Sequence, residues 1–244
     1  MPRFFAEASD FSEGAVVIKG DDARHIARSL RMAVGDEVTV CDKDGCEHLC
    51  RLTLIRDELC ECKILSSEKS VAESPVEISL FIAYPKGDKL EFVIQKAVEL
   101  GASRIVPFES SRCIKKPQPE KAERQNARLS KIAEEAAKQC GRAKVPSVAF
   151  PHSYEAALKE AAKSELALFC YEGNGTESLK TLLEKSSYAR TVSVVVGAEG
   201  GFSSEEFSMA KEAGLLPANL GPRILRCETA PLYVLSAISY FKEL

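Results

Sequence analysis

Three stretches of this 244-residue sequence gather chemically able side chains beside glycines. They are Tyr171-Glu172-Gly173-Asn174-Gly175, Gly197-Ala198-Glu199-Gly200-Gly201, and the segment Leu220 to Ala230, which holds Arg223, Arg226 and Glu228 within six residues. Glycines after a strand permit positive φ and let backbone amides approach a ligand closely. The second stretch is not a phosphate loop: it lacks the Lys-Ser/Thr of a P-loop and the Gly-x-Gly-x-x-Gly spacing of a dinucleotide site. Its Glu199 would repel a phosphate. The ligand expected there is neutral or cationic, and a plain tight turn is the competing reading. For Arg223, Arg226 and Glu228 the competing reading is a surface ion pair of little energetic weight. Cys227 has no histidine beside it in sequence, so nucleophilic catalysis is not expected.

The elements that must hold these loops follow from periodicity. Val76 to Ala83 and Val192 to Val196 read as buried strands, and Leu90, Val93, Ile94, Ala97 and Val98 form a helical stripe behind Asp88. Strands near 104–108, 147–150, 165–171 and 190–196 alternate with helices near 120–139, 153–163, 176–186 and 203–213. That order predicts an α/β fold with a mostly parallel sheet covered on both faces. The three loops then fall at strand carboxyl ends, where open α/β sheets bind ligands. Ser203 and Glu206 have capping-box spacing. The last helix starts with Thr229 as its expected cap and Pro231 in its first turn. It is apolar nearly all round, so it must be buried by its own domain or by a partner subunit.

Residues 1–70 read differently. Short strands, an Asp42-Lys43-Asp44-Gly45 hairpin signal and a helical turn expected to be capped by Asp21 or Asp22 predict a small β-barrel. The polar stretch 66–75 reads as a linker to a second domain at 76–244.

Composition narrows the function class. The chain is 45% hydrophobic and 28% charged with net charge −3, enough apolar content for a proper core. No run of about 18 apolar residues suggests a membrane span, and the N-terminus lacks signal-peptide features. Nine cysteines in a chain of this length point to a reducing cytoplasm rather than a disulfide framework. Residues 110–146 carry ten Lys/Arg against four Glu, whereas 36–73 carry ten acidic against five basic side chains. The first is either a polyanion contact or a solvated helix face. Cys46-x-His48-x-Cys50 with Cys60-x-Cys62 is too irregular for a zinc site, so no metal is expected, and His152 is expected to cap or flank a helix.

The stretches Gly197-Ala-Glu-Gly-Gly-Phe-Ser203 and Leu220-Gly-Pro-Arg-Ile-Leu-Arg-Cys-Glu-Thr-Ala230 resemble the signature loops of the RsmE family. Pro2-Arg3-Phe4-Phe5 and His25 to Asp36 resemble its N-terminal block, and Lys96 to Gly101 and Glu135 to Arg142 its internal motifs. The resemblance spans the whole chain. It implies a PUA-like β-barrel followed by a SPOUT methyltransferase domain with a C-terminal trefoil knot. It further implies a homodimer that methylates N3 of a uridine near the decoding centre in 16S ribosomal RNA of the small subunit, using S-adenosylmethionine. Carried over position by position, the donor would meet Tyr171, Val196, Gly197, Ala198, Glu199, Gly200, Gly201, Leu220, Gly221, Ile224, Leu225, Arg226, Thr229 and Ala230. Arg226 would favour ionisation of the uracil, with Glu228 or Glu199 as proton acceptor. RNA would meet Arg24, His25, Arg28, Arg31, Lys115, Lys116, Arg124, Arg128 and Arg142. Ala198, Lys138 and Cys227 depart from the family pattern, and none removes an obvious chemical group. Two other classes stay open on the residues alone: a non-catalytic RNA-binding module and a nucleotide-dependent doubly wound enzyme.

Overall fold

The computed structural model describes residues 1–114 and 119–244, so Lys115 and Lys116 lie outside the described residues. The chain divides into two compact units, Met1–Glu73 with Ala137–Val145, and Ser74–Ala136 with Pro146–Leu244.

In the first unit β1 (Arg3–Phe5), β2 (Phe11–Ser12), β3 (Ala15–Lys19), β4 (Glu37–Cys41), β5 (Cys46–Ile55) and β6 (Leu59–Lys69) form a sheet in the order β1-β4-β5-β6-β3-β2. Its pairs are antiparallel except β1 with β4. The hairpin signal is real: one Asp42 carboxylate oxygen accepts the backbone N–H groups of Asp44, Gly45 and Cys46, while Lys43 and Gly45 take the positive φ that the turn needs. Helix α1 (Gly20–Arg24) continues as a π turn over His25–Ser29. Its cap position is Lys19, with Asp21 and Asp22 inside the first turn. The expected aspartate caps are thus displaced into the helix, where their charge still suits its N-terminus.

Cys50, Cys60 and Cys62 sit in the core with Phe4, Val16, Ile18, Ile26 and Val40. Burial pushes the Cys50 thiol up to about 11 and Cys62 up to about 12, which marks them as small apolar core residues. All nine cysteines are free thiols.

The segment after residue 136 corrects two readings of the basic stretch. Lys138 is nearly buried, its ammonium 2.9 Å from Asp22. Arg142 is only 5% exposed. Its Nη2 donates to Glu73 at 2.8 Å, and the other Glu73 oxygen accepts the N–H groups of Ala143 and Lys144. Arg142 is therefore a buried ion-pair partner and not a surface phosphate contact.

The second unit contains β7 (Glu77–Ala83), α2 (Lys89–Glu99), β8 (Arg104–Glu109), α3 (Ala122–Cys140, whose last turn groups with the first unit), β9 (Ser147–Val148) and β10 (His152–Ser153). It continues with α4 (Tyr154–Ala161), β11 (Leu166–Cys170), β12 (Glu177–Ser178), α5 (Leu179–Lys185), β13 (Thr191–Val196), α6 (Ser204–Glu212), β14 (Leu216–Asn219) and α7 (Thr229–Glu243). The sheet order is β10-β8-β7-β13-β11-β14-β12, with β9 beside β8, and every pairing is parallel.

The helical stripe of α2 is buried as its spacing predicts, and Gly101 ends that helix in the left-handed region. His152 flanks α4 from within β10, with Nε2 3.2 Å from Glu160, while Ser153 supplies the cap. Helix α7 buries Ala230, Val234, Leu235 and Ile238 but exposes Tyr233, Tyr240 and Phe241. Among the described residues no helix is long and apolar enough to cross a membrane.

Removing Arg142 deprives the half-buried Glu73 carboxylate of its cation, so Arg142→Ala should cost about 3 kcal/mol in urea unfolding. Burial works to raise the Glu73 pKa, but the Arg142 guanidinium and two backbone N–H groups more than reverse it. A carboxylate with a lowered pKa contributes fully above its ordinary range and fades as pH falls through it. Glu73→Gln should therefore be much less stable than the native chain near neutral pH and approach it in stability as the pH falls below the ordinary carboxylate range.

Candidate active site

Four neighbouring strands, β7, β13, β11 and β14, run parallel, so the loops leaving their carboxyl ends emerge side by side. Those loops enclose an open cleft of about 440 Å³, within the usual range for small-molecule sites. The first loop runs from β7 to Lys89, the second from β11 through Tyr171 and Glu172. The third is Gly197 to Phe202 and the fourth runs from Leu220 to Cys227.

The glycine loop is fixed from below. The Phe202 ring packs 4.3 Å from Phe169 and also contacts the rings of Phe108 and Tyr154. Directly after it, Ser203 caps α6 and Glu206 closes the expected capping box. The Glu206 carboxylate also accepts the N–H of Ser111 at 2.7 Å. Ala198 is buried and its carbonyl accepts the N–H of Gly201 at 2.9 Å. Gly201 has φ +62, and a side chain there would come within 2.9 Å of a Glu172 oxygen. Over the second loop the Tyr171 ring lies on Gly173, where a Cβ would stand 2.4 Å from it. The ring also stacks on Phe207, with centroids 4.4 Å apart.

The charged centre of the site comes from a residue that spacing alone did not single out. Lys89 Nζ lies 3.1 Å from Glu199 Oε1 and 3.1 Å from Glu228 Oε2, with Cys227 Sγ at 3.8 Å. Hydrogen bonds to Glu199 and then Glu228 hold the Lys89 pKa well above its ordinary value. Burial works to raise both carboxylates, but backbone N–H groups and Lys89 hold Glu199 below the usual range. For Glu228 the opposing contacts are the Cys227 thiol, its own N–H and Lys89. Burial and the contact with Glu228 push the Cys227 thiol up to about 12, so it stays protonated and unreactive.

Most of the expected ligand residues do line the cleft. The wall includes Tyr171, Val196, Gly197, Ala198, Glu199 and Gly201, then Leu220, Gly221, Ile224, Leu225, Arg226 and Ala230. Two of them, Gly200 and Thr229, do not, and neither does Glu228, expected as a proton acceptor. Gly200 turns away towards Arg112, whose guanidinium donates to its carbonyl at 2.9 Å. Thr229 is the first residue of α7 rather than its cap: its N–H and that of Ala230 both donate to the Arg226 carbonyl, and the cap position is Glu228 with no side-chain bond. Glu228 is not a lining residue but contacts one, its Oε2 lying 3.1 Å from Lys89 Nζ.

The wall also includes Glu172 and Arg223 from two of the loops singled out in the sequence, together with Lys89 and Phe202, which were not expected there. The signal for Lys89 was its place in the first turn of a helix, where a cation opposes the helix dipole. Arg226 is exposed, and among the described residues its side chain makes no hydrogen bond or ion pair.

The expected RNA contacts divide by environment. Arg24 pairs with Asp21 and Glu58, Arg28 with Asp57, and Arg128 with Glu91 at 2.9 Å, all exposed arginines. His25, Arg31 and Arg124 are exposed. Among the described residues no His, Cys, Asp or Glu cluster could hold a metal ion.

Comparison with known proteins agrees along the chain's length. Residues 72–239 match the family model described as an RNA methyltransferase domain, and residues 18–65 match an RNA methyltransferase PUA domain. The chain is 36% identical over 242 residues to ribosomal RNA small subunit methyltransferase E of Bacillus subtilis, covering 98% of this chain and 93% of that one. The protein of the same name from Synechocystis is 32% identical, covering 99% and 78%. Among solved structures, ribosomal RNA small subunit methyltransferase E from Neisseria gonorrhoeae, bound to S-adenosyl methionine, superposes with TM-score 0.86 at 33% identity, covering 98% of this chain and 97% of that one. A putative methyltransferase from Legionella pneumophila in complex with SAM gives TM-score 0.86 at 29% identity, covering 98% and 96%.

A Cβ at Gly197 would lie 3.1 Å from the Phe202 ring and 3.3 Å from the Gly201 backbone. With Phe202 wedged among three rings neither neighbour can yield freely, so Gly197→Ala should destabilise the fold by about 1–3 kcal/mol, read from the thermal or urea unfolding curve.

Proposed function

This chain belongs to the ribosomal RNA small subunit methyltransferase E family, and we propose that it methylates N3 of a uridine near the decoding centre in 16S RNA of the small ribosomal subunit, with S-adenosylmethionine as donor. The observation that carries this reading is the cleft: backbone-rich, bounded by glycines, with Glu172 and Glu199 on its wall. Those residues fit a donor that has no phosphate and carries a positive sulfonium. Tyr171, Gly197, Ala198, Gly201, Leu220, Gly221, Ile224, Leu225 and Ala230 would hold it, with Val196, Leu220 and Leu225 packing on the adenine faces. Bound there, the sulfonium supplies an already activated methyl group.

The remaining work belongs to the chain. Neutral uridine has no free lone pair at N3, so ionisation must be favoured and the nitrogen aligned with the methyl carbon. Arg226 reaches the cleft with no ion-pair partner among the described residues and would stabilise negative charge as it builds on the uracil carbonyls. Of the two carboxylates considered as proton acceptors, Glu199 lies on the wall and Glu228 does not, so the N3 proton is assigned to Glu199, which then loses it to water. Its lowered pKa makes that release easy. A paired uridine hides N3, so the base must be unpaired or extruded.

The exposed basic residues Arg24, His25, Arg28, Arg31, Arg124 and Arg128, together with Lys115 and Lys116, would contact the RNA backbone. Arg24, Arg28 and Arg128 must exchange carboxylate partners for phosphate to do so.

Finer features belong to the same proposal. The N-terminal sheet closes as a PUA-like barrel, and the C-terminal segment forms a trefoil knot. The second is supported by the path of the chain, which leaves β14 beyond β11 and returns to pack α7 on β13 and α2. The protein pairs as a homodimer through α7, supported by Tyr233 and Tyr240, exposed one heptad apart. It works in the cytoplasm, where ribosomes are assembled.

Incubating the protein with donor and small subunits lacking the modification, then mapping methylated nucleosides, tests the activity. 3-Methyluridine at one position is expected, and its absence overturns the reading. Arg226→Ala should lower kcat about 100-fold at saturating RNA. Neutralising Arg124 and Arg128 together should flatten the salt dependence of RNA binding by roughly one to two in log–log slope.

A further inference from the structure

Outside the residues already given roles, one side chain has an arrangement that its local element does not explain. Lys89 occupies the first helical position of α2, where the helix dipole disfavours a cation. Its ammonium nevertheless stands between two carboxylates drawn from loops far apart in sequence. Glu199 belongs to the glycine loop after β13, and Glu228 to the segment leading into α7, each 3.1 Å from the same nitrogen. The β7–α2 turn grips Glu199 a second time, because the Lys86 backbone N–H donates to the same Oε1 at 3.1 Å. Glu228 is not itself a lining residue and accepts the Cys227 thiol at 3.2 Å. The chain Cys227–Glu228–Lys89–Glu199 therefore runs from the start of α7, through one partly exposed ammonium, to the wall of the cleft. Without the cation, two carboxylates held close together would repel each other, and the two loops carrying them would separate.

We propose that Lys89 is a positioning residue for the methyl donor: by bridging Glu199 and Glu228 it locks the glycine loop to the arginine-bearing loop, and so sets the width of the cleft and the placement of Glu199 within it. Glu228 is then the anchor of Lys89, not a group that meets substrate. This inference rests on the methyltransferase reading. The bridge acts on the donor side of the site and is independent of the basic residues assigned to RNA.

The test uses the full-length protein and S-adenosylhomocysteine, whose binding calorimetry reads without turnover. Lys89→Met should weaken that binding at least tenfold and raise the donor KM by a similar factor. The KM for RNA and the melting temperature should stay near their native values. Lys89→Arg, which can still span two carboxylates, should restore most of the affinity. Glu228→Gln should weaken binding by itself, yet add little when combined with Lys89→Met, since both break one bridge. Should Lys89→Met fail to fold, Lys89→Arg and Glu228→Gln carry the comparison: native affinity in Glu228→Gln overturns the bridge. So do unchanged donor affinity in a folded Lys89→Met, a loss confined to the RNA KM, or additive losses in the double variant. If the native protein itself takes up no S-adenosylhomocysteine, it is the methyltransferase reading that falls.

Discussion

The constraint on which the site depends is the position of β13. It is hydrogen-bonded in parallel register to β7 on one side and β11 on the other, and Val192 to Val196 are buried. A strand enclosed in this way cannot end at a sheet edge. Its carboxyl end has to open into the space between the ends of its neighbours, and the chain must turn there at once. Gly197 and Gly201 bound that turn without side chains because the Phe202 ring and the Glu172 carboxylate already occupy the adjoining space. Fold and cleft are thus two aspects of one packing solution.

Charge within the cleft is organised by distance more than by number. Lys89 is shared between its two carboxylate neighbours and offsets the charge of one of them, while Glu172 is drawn up against Gly201 and Arg226 remains exposed. Among the described residues the guanidinium groups of Arg223 and Arg226 on the wall make no ion pair, while ionised carboxylates stand nearby. On the function proposed above, a cationic donor would meet the carboxylate side and developing negative charge the arginine side. Neither requires a group to be buried with its charge uncompensated, which would be costly.

Much of this was legible in the sequence, and the reasons for the gaps are specific. The α2 stripe and the Ser203–Glu206 box are local patterns with periods a helix imposes, and both survive in the structure. The three loops stood out because glycine beside charge is unusual in a strand-to-helix junction. Lys89 did not, because its significance comes from Glu199 and Glu228, each more than a hundred residues away along the chain. The basic stretch misled in part: charge counting cannot tell exposed Arg124 from Arg142, whose partner Glu73 lies in the segment read as a polar linker. The cap assigned to Thr229 failed because the Arg226 carbonyl takes the first two N–H groups of α7, a backbone arrangement that side-chain identity does not announce. Two-residue strands such as β10 and β12 carry too few residues to display a period.

The packing of Phe202 has a consequence for how a small molecule meets this protein. That ring secures the glycine loop to the same aromatic layer that supports α4 and β11, so the loop's shape is settled when the domain folds. A ligand arriving at the cleft finds its backbone contacts preorganised and bears little of the entropy of ordering a loop. Selectivity on that side should then come from fixed shape, leaving adaptation to the more exposed stretch around Ile224, which is 84% open to solvent.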